Sequence, residues 1–301
     1  MKNAIDLAQL PAPDVIETLD YETIVTEMLT DLRSRAPEFT AIVESDPAYK
    51  ILEVAAYREL ILRQRVNDAA RSVMVAHAKG TDLDNLAALF GVARQVTDPG
   101  DPNAIPPIPV TYESDDRLRQ RLPLSMEGFS TAGPSGAYRF HALNASGSVK
   151  DVSITSPSAG QVVVTVLGDT GDGVPAAGLL TTVNDALTSD DVRPLTDQVT
   201  VQAATIIRYQ VDATLTFYSG PDRSVILAAA QQSLLNYVNN QHRLGYDVTL
   251  SGLYAALHQP GVYKVTLNGP LADLIIAPNE AAYCDQITVQ DGGTNCLLYT
   301  S

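Results

Sequence analysis

The sequence predicts an α+β protein: an N-terminal helical arm with one long helix, followed by two small mixed α/β domains. Three observations predict it. Apolar residues recur at helical, three- and four-residue spacing over roughly the first ninety positions. Five prolines, Pro99, Pro102, Pro106, Pro107 and Pro109, then interrupt the chain. Beyond them, strand-like runs and helix-like runs take turns to the end.

Each element follows in order. Pro11 and Pro13 oppose a long regular element before Asp14. From Asp20 the pattern is helical, through Ile24, Met28, Leu29 and Leu32, and Pro37 closes it. Pro47 suits a helix start with Ser45 or Asp46 as cap, and Gly80 reads as the C-cap. The span between, 48–79, makes a helix of about 33 residues and roughly 50 Å. "TDLDNLAALFGV" follows as a short capped helix. The proline-rich stretch 94–112 reads as a linker. Residues 115–122 and 134–146 are helical, "VKDVSIT" and "QVVVTVLG" are strands, "AAGLLTTVNDALTS" is a helix and "DQVTVQAA" a strand. "IIRYQVDATLTFY" is a long strand, "DRSVILAAAQQSLLNYVNNQ" a helix, "LSGLYAALHQ" a shorter helix and "VYKVTLNG" a strand. Both halves run strand, helix, further strand, the pattern of a diverged repeat joined near residue 204. The expected organisation is a helical region 1–93, a linker 94–112, a middle domain 113–204 and a C-terminal domain 205–301.

Composition narrows the function. The chain has 301 residues and a net charge of −15, ample for a real core and unsuited to wholesale phosphate binding. No run of about eighteen apolar residues suggests a membrane span. The start, "MKNAIDLAQLPAPDVIE", lacks a signal-peptide core, so the chain is expected to fold in the cytoplasm. Two cysteines, Cys284 and Cys296, make neither a disulfide framework nor a zinc site. Arg outnumbers Lys fifteen to five, a bias toward desolvated ion pairs at protein contacts. The absence of Trp runs against that bias, although thirteen tyrosines can substitute at an interface.

One stretch concentrates the arginines. "YRELILRQRVNDAARSVM", residues 57–74, carries Arg58, Arg63, Arg65 and Arg71 among Leu60, Ile61, Leu62, Val66 and Val73. At about 100° per residue the four guanidiniums form no single stripe, and the apolar residues spread over most of the circumference. Glu59 precedes Arg63 by four residues and Asp68 precedes Arg71 by three, both favourable. Such a helix wants neighbours on several sides. They are either the chain's own bundle or partner chains, and the few other helices of 1–92 favour partners.

The sequence carries no recognisable catalytic motif. Gly168, Gly171 and Gly173 give G-x-x-G-x-G, not the dinucleotide order, and no P-loop Lys follows. Asp169 and Asp172 would repel a phosphate, and the twelve-residue calcium pattern is absent. His77, His141, His242 and His258 have no second His at ligand spacing. "GPSGAYRF" is not the G-x-S-x-G nucleophile loop. The adjacent pairs Asp115–Asp116 and Asp190–Asp191 read as solvated. No catalytic, metal or cofactor residue is expected.

Several blocks in order resemble one family. "IDLAQLPAPDVIETLDYETI", "AYRELILRQRVNDAARSVMVAHAKGTDLDNLA", "EGFSTAGPSGAYRFHA", "DVSITSPSAGQVVVTVL", "DDVRPLTDQVTVQ" and "QHRLGYDVTLSGLYAALHQPGV" are similar to the baseplate assembly protein J (baseplate J-like) family of contractile-tailed bacteriophages. The departures are the insert at 98–109 and the ending "GGTNCLLYTS". The resemblance implies a structural wedge subunit of a tail baseplate or R-type bacteriocin, assembled in the host cytoplasm and carried in the virion. Its implied partners are a second copy of itself, a smaller wedge protein, a lysozyme-like or sheath-initiating baseplate protein, and the central hub and spike. It implies a helical core bundle, for which Tyr57, Arg58, Glu59, Leu62, Arg63, Arg65, Val66 and Arg71 are the candidate contacts. It also implies subunit pairing through the C-terminal domain, where Arg243, Leu250, Leu253, Tyr254 and Leu257 are the candidates. The last four lie at i, i+3, i+4 and i+7 on one helix face, which either pairs with a copy or covers the domain's own sheet. A cell-wall-acting enzyme of the tail is the alternative function; it would need a convergent acid, base or metal group.

Overall fold

The computed structural model describes residues 11, 13–39, 42–130, 133–189, 192–220 and 222–295. The chain divides into two compact units, 1–94 with 114–123, and 95–113 with 124–301.

The first unit is helical. Asp20 accepts from Thr23 N and starts α1 (Tyr21–Arg35), which ends just before Pro37. Asp46 accepts from Ala48 N, and Pro47 opens α2 (Pro47–Ser72), the expected use of a proline at the first helical position. Ile24, Val25 and Ala56 form the α1–α2 seam, flanked by Tyr21, Met28, Leu29, Tyr49 and Leu60. Asn67, buried on α2, closes a two-way clamp: its Nδ2 donates to Glu17 O at 2.9 Å. Its Oδ1 accepts from Glu17 N at 3.0 Å.

The long helix stops sooner than the sequence predicts. It ends at Ser72, and Gly80 opens the next helix, α3 (Gly80–Ala88), instead of capping this one. The reason is a distant arginine. Arg119 donates from Nε to Val75 O and from Nη2 to Ala78 O, each at 2.8 Å. Those carbonyls are thereby satisfied outside any helix. Asp115, expected to be solvated, accepts from Gly80 N at 3.1 Å and from Arg94 at 2.7 Å. Burial pushes its carboxyl up, but the Gly80 and Arg94 hydrogen bonds bring it below the usual carboxylate range. Asp116 is the exposed member of that pair and meets Arg119 at 2.6 Å.

The stretch 94–112, expected to be a linker, contains a short hairpin. There β1 (Val96–Asp98) pairs antiparallel with β2 (Thr111–Tyr112). Gln95 ties it down, with its Nε2 donating to the carbonyls of Leu143 and Asn144. The helix expected over 115–122 is α4 (Asp115–Gly128), which runs through Pro123. One missing N–H is tolerated because Leu118 and Leu122 are buried and Leu124 packs on the next core.

The rest of the second unit holds two three-stranded sheets. After α5 (Ser135–Ala145), β3 (Val149–Thr155) runs antiparallel to β4 (Gln161–Gly168), and α6 (Ala177–Thr188) returns the chain to β5 (Gln198–Ala203), parallel to β4. Tyr138, Val152, Val164, Val166, Val183 and Leu187 fill that core. The second sheet is centred on β6 (Thr205–Phe217). After α7 (Arg223–Gln241) and α8 (Leu250–Leu257), β7 (Val262–Gly269) pairs antiparallel with β6. The final strand, β8 (Glu280–Thr294), pairs parallel on its other side. Each sheet has a central strand with one antiparallel and one parallel neighbour. The central strand comes second in the first sheet and first in the other. The halves therefore do not repeat in chain order, as the sequence pattern suggests they do.

Candidate assembly surfaces

Two surfaces follow from how these elements are built. The first is the outer face of α2. Its inner face, through Tyr49, Ala56, Leu60 and Asn67, is taken by α1 and the segment before it. The opposite face is apolar and open: Ile51, Val54, Leu62, Val66 and Val73 are each at least 60% exposed. Tyr57 and Ile61 join them. At about 100° per residue these positions span about 180°, with Arg58 and Arg65 at the centre of the arc. So the candidate bundle residues do not share one fate. Tyr57, Arg58, Leu62, Arg65, Val66 and Arg71 are exposed, while Glu59 is half-buried. Arg63 is also exposed and pairs within the arm, at 2.8 Å from Glu59 and 3.7 Å from Glu17. Arg71 meets Asp68 at 3.6 Å. An exposed face this rich in apolar side chains is a candidate interaction surface.

The second surface is around α8. Thr249 caps the helix, accepting from Gly252 N at 3.2 Å. Leu253 and Leu257 are fully buried against β6 and α7, and Leu250 packs beside that core. The stripe of the sequence reading therefore covers the unit's own sheet, because its i, i+3, i+7 face points inward. Tyr254 is left exposed, and Arg243 lies over the exposed Tyr246 ring, 5.8 Å from its centroid.

Between the two sheets lies a polar seam that sequence reasoning missed. Asp151, buried on β3, accepts from Arg139 at 2.5 Å and from Leu244 N at 3.1 Å. Arg208 on β6 bridges Asp172 and Asp285, the latter at 2.5 Å, and lies over the Tyr283 ring. His242 is buried beside them, edge-on to Tyr283 at 5.2 Å between centroids. Burial and then nearby Lys150 push its imidazole down to about 4, against a weaker opposing pull from Asp172. Leu167, Ala204, Leu244 and Ala281 close the seam with a small apolar cluster. The signal in sequence was only isolated charges; their meeting depends on positions up to 93 residues apart.

Among the described residues, no three His, Cys, Asp or Glu side chains gather as a metal site. No described helix is long and apolar enough to cross a membrane. Cys284 is a free thiol pushed up by burial, while Cys296 and the Asp190–Asp191 pair lie outside the described residues.

A helical unit with an exposed apolar face on α2 is the kind of surface through which proteins assemble, and the comparisons give the family. Residues 44–101 match the Baseplate J-like N-terminal domain, 130–203 the Baseplate J-like central domain and 209–290 the Baseplate J-like protein C-terminal domain. The chain belongs to the baseplate J-like family and is a structural component of a phage tail baseplate. It is 47% identical over 298 residues to Baseplate protein J of Escherichia phage P2, covering 97% of this chain and 99% of that one. The anti-feeding prophage baseplate, solved by cryo-electron microscopy, contains a chain with 16% identity and a TM-score of 0.42. That match covers 62% of this chain and 44% of the other.

Proposed function

We propose that this protein is a non-enzymatic wedge subunit that builds the baseplate through α2. The outer face of α2 forms a helical core bundle with a smaller wedge protein. The C-terminal domain, 205–301, pairs with a second copy and so links wedges into a ring around the hub. The observation that carries this reading is the open apolar face of α2: it has the width of a helix–helix contact on more than one side. For the pairing surface, the burial of Leu253 and Leu257 narrows the candidates to Arg243, Tyr254 and the edge of Leu250. The lysozyme-like or sheath-initiating baseplate protein, the hub and the spike complete the set of neighbours, and assembly takes place in the host cytoplasm.

The test is capture of the same tail's smaller wedge protein by the full-length chain in co-expression. Wild type is expected to capture it. Ile61→Glu with Leu62→Glu should abolish capture while the thermal transition of the chain stays put, because both side chains face out. Undiminished capture by that double variant would count against the reading.

A further inference from the structure

Charge on α2 does not balance, and the imbalance falls on the open face. The helix carries five cations, Lys50, Arg58, Arg63, Arg65 and Arg71, and three carboxylates, Glu53, Glu59 and Asp68. Every carboxylate is engaged nearby. Glu53 holds Lys50 at 2.8 Å and Glu59 holds Arg63 at 2.8 Å. Asp68 accepts from Gln64 at 2.7 Å and faces Arg71 at 3.6 Å. Arg58 and Arg65 remain, and neither has an ion pair or hydrogen bond among the described residues. They sit in the middle of the apolar arc, seven residues or about 10 Å apart, on the same side of the helix.

We infer that the helix docking on this face is acidic at its centre: an apolar stripe interrupted by two carboxylates about seven residues apart. This deepens the proposed function and rests on it, since it assigns the chemistry of the bundle partner. An apolar occupant would leave two guanidiniums desolvated and unpaired, the costly outcome for buried charge. A second copy of α2 packed directly on this face would set Arg58 and Arg65 against themselves, a like-charge arrangement that interfaces avoid. The chain's own α1 does not fit either, because its outer face presents Thr26, Glu27, Thr30 and Asp31 without an apolar stripe. A wedge holding two copies brings four such guanidiniums to one bundle, so each copy's Arg58 and Arg65 need their own pair of carboxylates from the partner. Arg, with its planar fork, suits this desolvated pairing better than Lys.

The experiment uses full-length wild type and the double variant R58E/R65E. The variant keeps the apolar stripe and supplies two carboxylates seven residues apart, so it is itself a probe of the inferred chemistry. Each chain alone and the equimolar mixture are compared by light scattering and by hydrogen exchange of residues 51–73, at low and high salt. Exchange isolates this face from pairing elsewhere. The mixture is expected to protect 51–73 with at least tenfold tighter association than either chain alone, weakening as salt rises. R58Q/R65Q is the second variant. With the repulsion removed it should self-associate through 51–73 where wild type does not. The inference is overturned if wild type alone covers 51–73 on a second copy as tightly as the mixture. It is equally overturned if the mixture gains nothing and the Gln variant matches wild type, or if deleting residues 1–10 uncovers 51–73 in the isolated chain. If any of these occurs while wild type still captures the smaller wedge protein, only the acidic helix is lost. Failure of capture as well removes the proposed function.

Discussion

Asn67 shows how much one polar side chain organises in the arm. It is buried on α2, and both its amide groups are spent on the backbone of Glu17. Asn67→Ala leaves that N–H and C=O without partners, a loss of about 1–3 kcal/mol. The expected result is a lower denaturation midpoint for the helical unit with the second unit unchanged, read by hydrogen exchange of 13–35 against 205–290. Equal exchange of 13–35 in mutant and wild type would show that the clamp adds nothing. His242 makes a pH-dependent contribution. Its folded value, about 4, lies below the ordinary value of 6.5, so the unfolded chain binds the proton more tightly. Stability is full above pH 6.5, falls as pH drops toward 4, and changes no further from this group below that. The loss amounts to up to about 3 kcal/mol. His242→Gln should flatten the stability profile between pH 6.5 and 4 relative to wild type; parallel profiles would exclude His242 as the source. Gly173 beside it has φ +90°, and a Cβ there would lie 2.5 Å from Leu167 Cδ1 and 2.9 Å from His242 Nε2. Gly173→Ala is therefore expected to lower the thermal midpoint of the second unit, while Gly178→Ala, which meets nothing within 4 Å, should not.

At the scale of elements, α2 was legible in its start, its apolar character and its partial pairing, because caps and spacing are local signals. Its end was not. Arg119 takes the carbonyls of Val75 and Ala78 from forty or so residues away, and no local pattern announces that. Arg119→Ala should accordingly raise exchange at 73–80 and destabilise the first unit by a few kcal/mol, since buried carbonyls lose a charged donor; unchanged exchange there would place the helix stop in the local sequence. The same distinction explains α8. Its spacing identified a one-sided helix, but the spacing is identical whether that side meets a copy or the chain's own sheet, and Leu253 and Leu257 meet the sheet. Strand β8 escaped notice because "EAAYCDQITVQDGGT" is rich in Ala, Gly and Asp, residues poor in intrinsic strand preference. Its pairing along β6, from Glu280 to Thr294, supplies what local preference lacks. The proline-rich 94–112 stretch likewise looked like a linker because its fixing contacts, Gln95 to Leu143 and Asn144, lie nearly fifty residues away.

For the whole molecule, the division of labour is plain in the chemistry. The second unit builds two apolar cores of its own and ties its two sheets together with Asp151, Arg208 and His242. Among the described residues, the helical unit leaves the outer side of its longest helix exposed. The proposed function assigns that exposed face to a partner helix of the baseplate. The most direct measurement is hydrogen exchange across the full chain, with and without the smaller wedge protein of the same tail. The account predicts that residues 51–73 exchange markedly more slowly in the complex, while the cores around β4 and β6 are unchanged. Strong and equal protection of 51–73 in the isolated chain and in the complex would contradict it.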